Sequence, residues 1–304
     1  MILVTGGAGF IGSGLVRALD AAGQTVAVLD DLSGGDPASL PRGVRLVRAD
    51  ICDPASADEI ARLGPEAVVH AAAQVSVAAS VEDPVRDGAV NVAGTANVLA
   101  GAARAGARRF VFLSSGGAIY GECDGATEQT LPSPQSYYGA HKYLAERYVE
   151  FSGLSYAVDR LANVYGPGQR SDLEGGVISI FLKRLREGEP VTLHGDGLQS
   201  RDFIHLDDVV SAVRAMLESS REGTYNVGTG EATSVRELLR KTERAAGSPV
   251  SVRQAPQRAG DVKNSSLSAR ALRVELGWRP RRDLEAWLEQ EAEQINAARN
   301  RVGK

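Results

Sequence analysis

Tyr138 and Lys142 stand four residues apart in the stretch Ser136-Tyr137-Tyr138-Gly139-Ala140-His141-Lys142, where the pattern predicts a helix over 136–152. At that spacing a phenol and an ammonium share one helix face. Tyrosine titrates near pH 10, so forming its phenolate at pH 7 costs roughly 4 kcal/mol at about 1.4 kcal/mol per pKa unit. A fixed positive charge nearby removes part of that cost and would make Tyr138 a general base toward a hydroxyl proton. Tyr137 and His141 form a second such pair, but histidine is neutral over much of the useful pH range and is the weaker source of charge. Tyrosine and lysine at this spacing also occur on solvated helix faces, so the pair takes its meaning from the elements that position it.

In the first half, short β-branched runs alternate with alanine-rich amphipathic stretches. This is the pattern of a parallel sheet covered by helices. It predicts strands at 2–5, 25–30, 44–48, 67–70, 110–114 and 155–160, with helices at 10–22, 56–63, 89–105 and 136–152 between them. Beyond Val164-Tyr165-Gly166-Pro167-Gly168 the alternation turns irregular. Helices are expected there at 177–187, 207–219, 234–246 and 283–298, and strands at 191–193 and 224–227. The expected organisation is a dinucleotide-binding domain over 1–165 and a smaller α/β substrate lobe over 166–304, with segments returning to the main sheet.

Thr5-Gly6-Gly7-Ala8-Gly9-Phe10-Ile11-Gly12 follows the first strand and opens the first helix. Gly6 and Gly9 permit a tight turn and close approach to a pyrophosphate, Gly12 lets helix and strand pack, and the helix start at Phe10 and Ile11 offers amides to the phosphates. Asp30 ends the second strand about twenty residues on, where a carboxylate accepts hydrogen bonds from a ribose diol and repels a 2′-phosphate, favouring NAD over NADP. Asp31 competes for that role. Asp50 and Ile51 follow the third strand, toward the adenine, and Ala71, Ala72 and Ala73 follow the fourth, where small side chains let a cofactor lie close. The fold class is therefore α/β, a doubly wound parallel sheet of Rossmann type.

With 304 residues, 43% hydrophobic and 24% charged, the composition is that of a soluble globular protein. A net charge of −4 leaves no footprint for nucleic acid or anionic membrane, and basic groups such as Arg279-Pro280-Arg281-Arg282 are short. Cys52 and Cys123 fit neither a disulfide framework nor metal-ligand spacing, and no His/Cys/carboxylate cluster has the spacing of a metal site. The apolar run Ile2-Leu3-Val4 directly after Met1 leaves no room for a targeting peptide. The expectation is a cytoplasmic protein.

These residues resemble the extended short-chain dehydrogenase/reductase family, and within it the UDP-glucose 4-epimerase-like nucleotide-sugar enzymes. The resemblance spans nearly the whole chain. It rests on the glycine turn, His70-Ala71-Ala72-Ala73-Gln74, Ser114-Ser115-Gly116-Gly117-Ala118-Ile119-Tyr120-Gly121, the Tyr138/Lys142 pair, Arg160-Leu161-Ala162-Asn163-Val164-Tyr165-Gly166-Pro167, Ser200-Arg201-Asp202-Phe203-Ile204-His205, Tyr225-Asn226-Val227-Gly228-Thr229-Gly230 and Arg258-Ala259-Gly260-Asp261. It implies that Asn163, Arg201 and Arg258 hold a nucleotide diphosphate, Asp261 a ribose, and Val177 with Ile178 the uracil. Forked arginine donors suit phosphate oxygens. It further implies that Tyr138 deprotonates a sugar hydroxyl while hydride leaves the same carbon for NAD, that Lys142 lowers the tyrosine pKa and binds the nicotinamide ribose, and that the 4-ketosugar turns over before hydride returns. The enzyme implied is a UDP-glucose/UDP-galactose 4-epimerase working as a homodimer. UDP-glucuronate or UDP-GlcNAc epimerisation, or net oxidoreduction on the same scaffold, are the alternatives.

Departures at several positions bear on that reading. The family's usual Ser or Thr is replaced by Gly116, so Ser115 is expected to fill its role. Gly117 and Ala118 occupy the places of the Asp-Glu pair of related 4,6-dehydratases, and Glu122 and Cys123 just beyond are read as loop residues. Ser265 stands where a bulky aromatic is usual in epimerases strict for unsubstituted sugars, leaving room for an N-acetyl group. Arg170 resembles an arginine that binds a C6 carboxylate, in a loop whose composition favours solvation.

Overall fold

Strands with apolar side chains on both faces need a helical layer on each side. The computed structural model describes residues 1–171, 176–256 and 262–302, the side chains of 298–302 excepted. The strands of the first half are β1 (Ile2–Thr5), β2 (Val26–Asp30), β3 (Arg45–Arg48), β4 (Ala67–His70), β5 (Arg109–Ser115), β6 (Cys123–Ala126) and β7 (Tyr156–Leu161). They are followed by β8 (Asn163–Tyr165), β9 (Val191–His194), β10 (Ser200–His205), β11 (Gly223–Val227), β12 (Ala232–Ser234), β13 (Val252–Ala255) and β14 (Asn264–Leu267). The helices that matter for the site are α1 (Phe10–Ala21), α2 (Ala55–Leu63), α3 (Val77–Glu82), α4 (Pro84–Gly88), α5 (Thr95–Ala105), α6 (Gly116–Ile119), α7 (Tyr137–Phe151), α8 (Val177–Glu187) and α9 (Leu206–Glu218).

Seven strands form one wholly parallel sheet in the order β11-β7-β5-β4-β1-β2-β3. Chain order reverses between β1 and β4, and ligands bind beyond the carboxyl ends of strands at such a point. Alternate residues feed two cores, as the two-residue strand period requires. Val4, Val28 and Val111 pack with Leu15 of α1 and Val209 and Val213 of α9 on one face. Leu3, Leu29, Phe110 and Phe112 pack with Ile60 of α2, Val98 of α5 and Val149 of α7 on the other.

A second sheet runs β12-β10-β14-β6, with β8 also paired to β10, and β9 and β13 form a two-stranded ribbon. The two halves exchange strands. β11 joins the main sheet from the second half, and β6 joins the smaller sheet from the first. Cys123, expected in a loop, therefore opens a strand. The helix expected over 89–105 is α5 preceded by a π-helical turn, Ala89–Gly94, where Asn91 turns its side-chain amide onto the Gln74 carbonyl (3.0 Å) and Asp87 (3.1 Å). Single π turns inside helices often mark functional sites.

Candidate active site

The glycine turn leaves β1 with Gly6 in the left-handed region, φ 67°. A Cβ on Gly6 would stand 2.5 Å from the Ala72 nitrogen, and one on Gly12 would collide with the Gly6 carbonyl. Only glycine permits this packing. The chain at Ala71 and Ala72 thus runs across Gly6, with Ala73 half-buried beyond it. Helix α1 starts after Gly9 with no side-chain cap, leaving its first amides, at Phe10, Ile11 and Gly12, for an anion. Asp30, 7% exposed, accepts from the Ala8 amide and from the Leu32 amide, both at 2.9 Å. Asp31 instead accepts from Ser33, so Asp30 is the carboxylate held against the glycine turn. Asp50 accepts from the Cys52 amide (2.8 Å), and the Ile51 side chain is buried against Gly94. A glycine cradle beside one buried acid fits a dinucleotide with a free ribose diol.

Ser136 caps α7, accepting from the Gly139 amide at 3.1 Å. Gly139 lies so close to the Ala118 carbonyl of α6 that a Cβ would collide with it. This contact sets Tyr138 at the carboxyl end of β5. Burial pushes its phenol up to about 12, the Ser115 hydroxyl pulls it back, and the negative charge of Asp87 adds to the rise. The Lys142 ammonium donates to the Leu113 carbonyl (2.7 Å) and lies 4.0 Å over the Phe112 ring. Burial brings Lys142 down to about 7, against the opposing pull of Glu146 and Asp87. The Lys142 ammonium is thus directed at the Leu113 carbonyl and the Phe112 face, and Ser115 is the group that eases ionisation of the phenol.

Beneath α7 lies a buried chain of polar groups. Glu146, one turn beyond Lys142, accepts from Ser114 (2.6 Å) and is paired with Arg160 (2.6 Å). Arg160 donates to the Tyr120 hydroxyl (2.8 Å), which donates to Asn226 Oδ1 (2.8 Å). Glu146 and Asp87 were missed as functional residues. Arg160 in the buried strand β7 was the available signal, because a buried guanidinium requires a buried acid.

A Cβ at Gly116 would stand 2.5 Å from Leu267 Cδ1. The position faces the core. A Cβ at Gly117 would make ordinary contacts, 3.5 Å from Asn163 Nδ2 and 3.9 Å from Ser265 Oγ. Register places Arg201 beside Ser265 and Asn163 beside Phe203, two residues from Arg201. The Arg201 guanidinium donates to the Ser200 carbonyl (2.8 Å). Val177 opens α8 half-buried, whereas Ile178 is core. Arg170 is exposed. Arg258 and Asp261 lie outside the described residues. Among the described residues no group of three or more histidine, cysteine or acidic side chains could hold a metal ion, and no helix is long and apolar enough to cross a membrane.

Residues 2–228 match the model of the NAD-dependent epimerase/dehydratase family. The chain belongs to that family. It is 41% identical to a UDP-glucose 4-epimerase of Mycolicibacterium smegmatis, an alignment covering 91% of this chain and 93% of that protein. The structure of a Thermus thermophilus UDP-glucose 4-epimerase in complex with NAD superposes with a TM-score of 0.92 at 42% identity, covering 98% of this chain and 99% of that one. A Thermotoga maritima UDP-glucose 4-epimerase with UDP-glucose gives a TM-score of 0.92 at 40% identity, with the same coverage. The resemblance drawn from the motifs and the doubly wound α/β fold are thereby both established.

Proposed function

We propose that the chain is an NAD-dependent UDP-sugar 4-epimerase of the UDP-glucose/UDP-galactose type. The observation that carries this reading is the 41% identity, over nearly the whole chain, to a UDP-glucose 4-epimerase, with Tyr138 and Lys142 set on α7 as that chemistry needs. In this reading residues 1–165 hold the cofactor through Gly6, Gly9, Gly12, Asp30 and the Ala71 to Ala73 run, and residues 166–304 supply most of the sugar-nucleotide contacts. Bound NAD supplies a hydride acceptor, and afterwards a hydride donor, at the sugar C4. Tyr138 takes the proton of the C4 hydroxyl as Ser115 donates a hydrogen bond to the same oxygen, lowering the charge that must build there. Lys142, held by the Leu113 carbonyl, would offer its ammonium to the cofactor ribose. Asn163 and Arg201 anchor the diphosphate while the 4-ketosugar presents its other face, and Tyr138 returns the proton to the new C4 hydroxyl. No carboxylic acid stands at 117 or 118 to expel water, which argues against 4,6-dehydration.

The small Ser265 facing Gly117 leaves space beside the sugar, so UDP-GlcNAc belongs in the substrate panel. Exposed Tyr148 and Phe151 on α7, lining one groove with Ala100 and Ala103 of α5, support a homodimer through these helices.

Incubating purified protein with UDP-glucose and no added cofactor tests the reading. UDP-galactose forming without accumulation of NADH is the expected outcome. Sustained NADH production on adding NAD would instead identify a net dehydrogenase, and no conversion of any UDP-sugar would leave a binding protein. Ser115→Ala is expected to lower kcat about 10- to 100-fold with KM little changed, the size of one lost transition-state hydrogen bond. Unchanged turnover would remove Ser115 from the mechanism.

A further inference from the structure

Asp87 ends its helix with a side chain wholly shut off from solvent, although no step above uses it. Its Oδ1 accepts from Gln74 Nε2 (2.6 Å) and Asn91 Nδ2 (3.1 Å), and its Oδ2 from His141 Nδ1 (2.6 Å). Gln74 and Asn91 also brace each other, since the Gln74 amide donates to Asn91 Oδ1 (3.2 Å) and Asn91 Nδ2 to the Gln74 carbonyl (3.0 Å). His141 lies over Gly88, where a Cβ would stand 3.3 Å from the imidazole Cε1. A larger residue at 88 would lift the ring off the carboxylate. Three donors from three separate segments therefore converge on one buried acid, and one of them is the immediate neighbour of Lys142 in the chain. Holding a carboxylate in such a place has a desolvation cost that structure alone does not require, because an apolar or amide side chain would fill the space.

We propose that Asp87 is a positioning residue for Tyr138 and Lys142, supplying the buried negative charge against which both groups work. The proposal rests on the assignment of those two residues as the reacting pair.

The charges facing the pair come from every side. Strand β5 offers the Leu113 carbonyl and the Phe112 ring. Strand β4 offers His70, which burial and then Lys142 push down to about 3, leaving it neutral. Strand β7 offers Arg160, already taken by Glu146 of α7. Helix α3 contributes only the exposed Glu82, α5 and α6 present no buried ionisable group, and the π turn presents the neutral Asn91. Asp87 is thus the negative group common to both members of the pair, favouring the ammonium of Lys142 and the phenol of Tyr138. Its charge favours the protonated form of both groups. His141 bears on the same balance by clamping the carboxylate.

The test uses the full chain without sugar, so it does not depend on the epimerase reading. Lys142 is followed by NMR of ¹³C-lysine-labelled protein, with Lys142→Arg for assignment, and Tyr138 by tyrosinate absorbance against Tyr138→Phe. In Asp87→Asn, which keeps the shape and removes the charge, both midpoints should fall by about one unit, a tenfold loss of proton affinity. A folded Asp87→Asn protein with both midpoints unmoved overturns the proposal. Should that variant not fold, His141→Ser at the partly exposed partner decides. Loss of the donor leaves the carboxylate less compensated, so both midpoints should rise, and unmoved midpoints again overturn it. Shifted midpoints in a protein that epimerises no sugar would sink the functional reading and leave the role of Asp87 standing.

Discussion

Tyr138→Phe is expected to reduce epimerisation by roughly 10³-fold while leaving NAD affinity within about twofold of the parent. The size follows from the role. Removing the hydroxyl takes away the group that, in this reading, accepts the C4 proton with Ser115 at its side, and water offers no base of matching position. The phenyl ring keeps the packing of α7 on α6, where the close approach is made by Gly139 and not by the tyrosine hydroxyl. Loss should therefore fall on kcat, with little change in KM. Steady-state kinetics beside calorimetric NAD titration separate the two. Retention of more than about a tenth of the parent turnover would be incompatible with general-base catalysis of the stated size.

Glu146→Ala should be the most destabilising substitution around the site, at about 3–5 kcal/mol. Glu146 is fully buried, and its removal leaves the Arg160 guanidinium uncompensated in the interior. It also strips Ser114 of its acceptor. The loss is read from denaturant midpoints at constant m-value. Glu146→Gln, which keeps an acceptor for Ser114 and Arg160, should cost less. The substitution also removes one of the two acids that favour the Lys142 ammonium. Since burial already brings that pKa down to about 7, Lys142 in a folded Glu146→Gln protein should lose its proton at lower pH than in the parent. A stability loss below about 1 kcal/mol for the alanine variant would mean that Arg160 finds other compensation.

Strands β1, β2, β4 and β5 were legible because they carry apolar runs and are parallel, and such strands announce themselves as short unbroken runs. The glycine turn was equally plain, since Gly6 and Gly12 are forced by contacts that no other residue tolerates. The second sheet was not. Ser200-Arg201-Asp202 and Asn264-Ser265-Ser266 are polar strands held by neighbours distant in sequence, and no local periodicity reveals them. At the site, the pairing of Tyr138 with Lys142 was read from spacing, but the surroundings of Lys142 were not. An i,i+4 relation places two side chains on one face and says nothing about a carbonyl such as that of Leu113 waiting beneath. The packing of Gly116 against Leu267 was equally invisible in the sequence. Asp87 and His141 were hidden for the same reason, being brought together by the packing of α4 and the π turn on α7.

The central claim is that hydride leaves C4 and returns to the same carbon within one active site. Incubating the protein with UDP-glucose deuterated at C4, without added cofactor, tests it most directly. Deuterium retained at C4 of the UDP-galactose formed is the predicted result, whereas its replacement by protium during conversion would contradict a return of the same hydride.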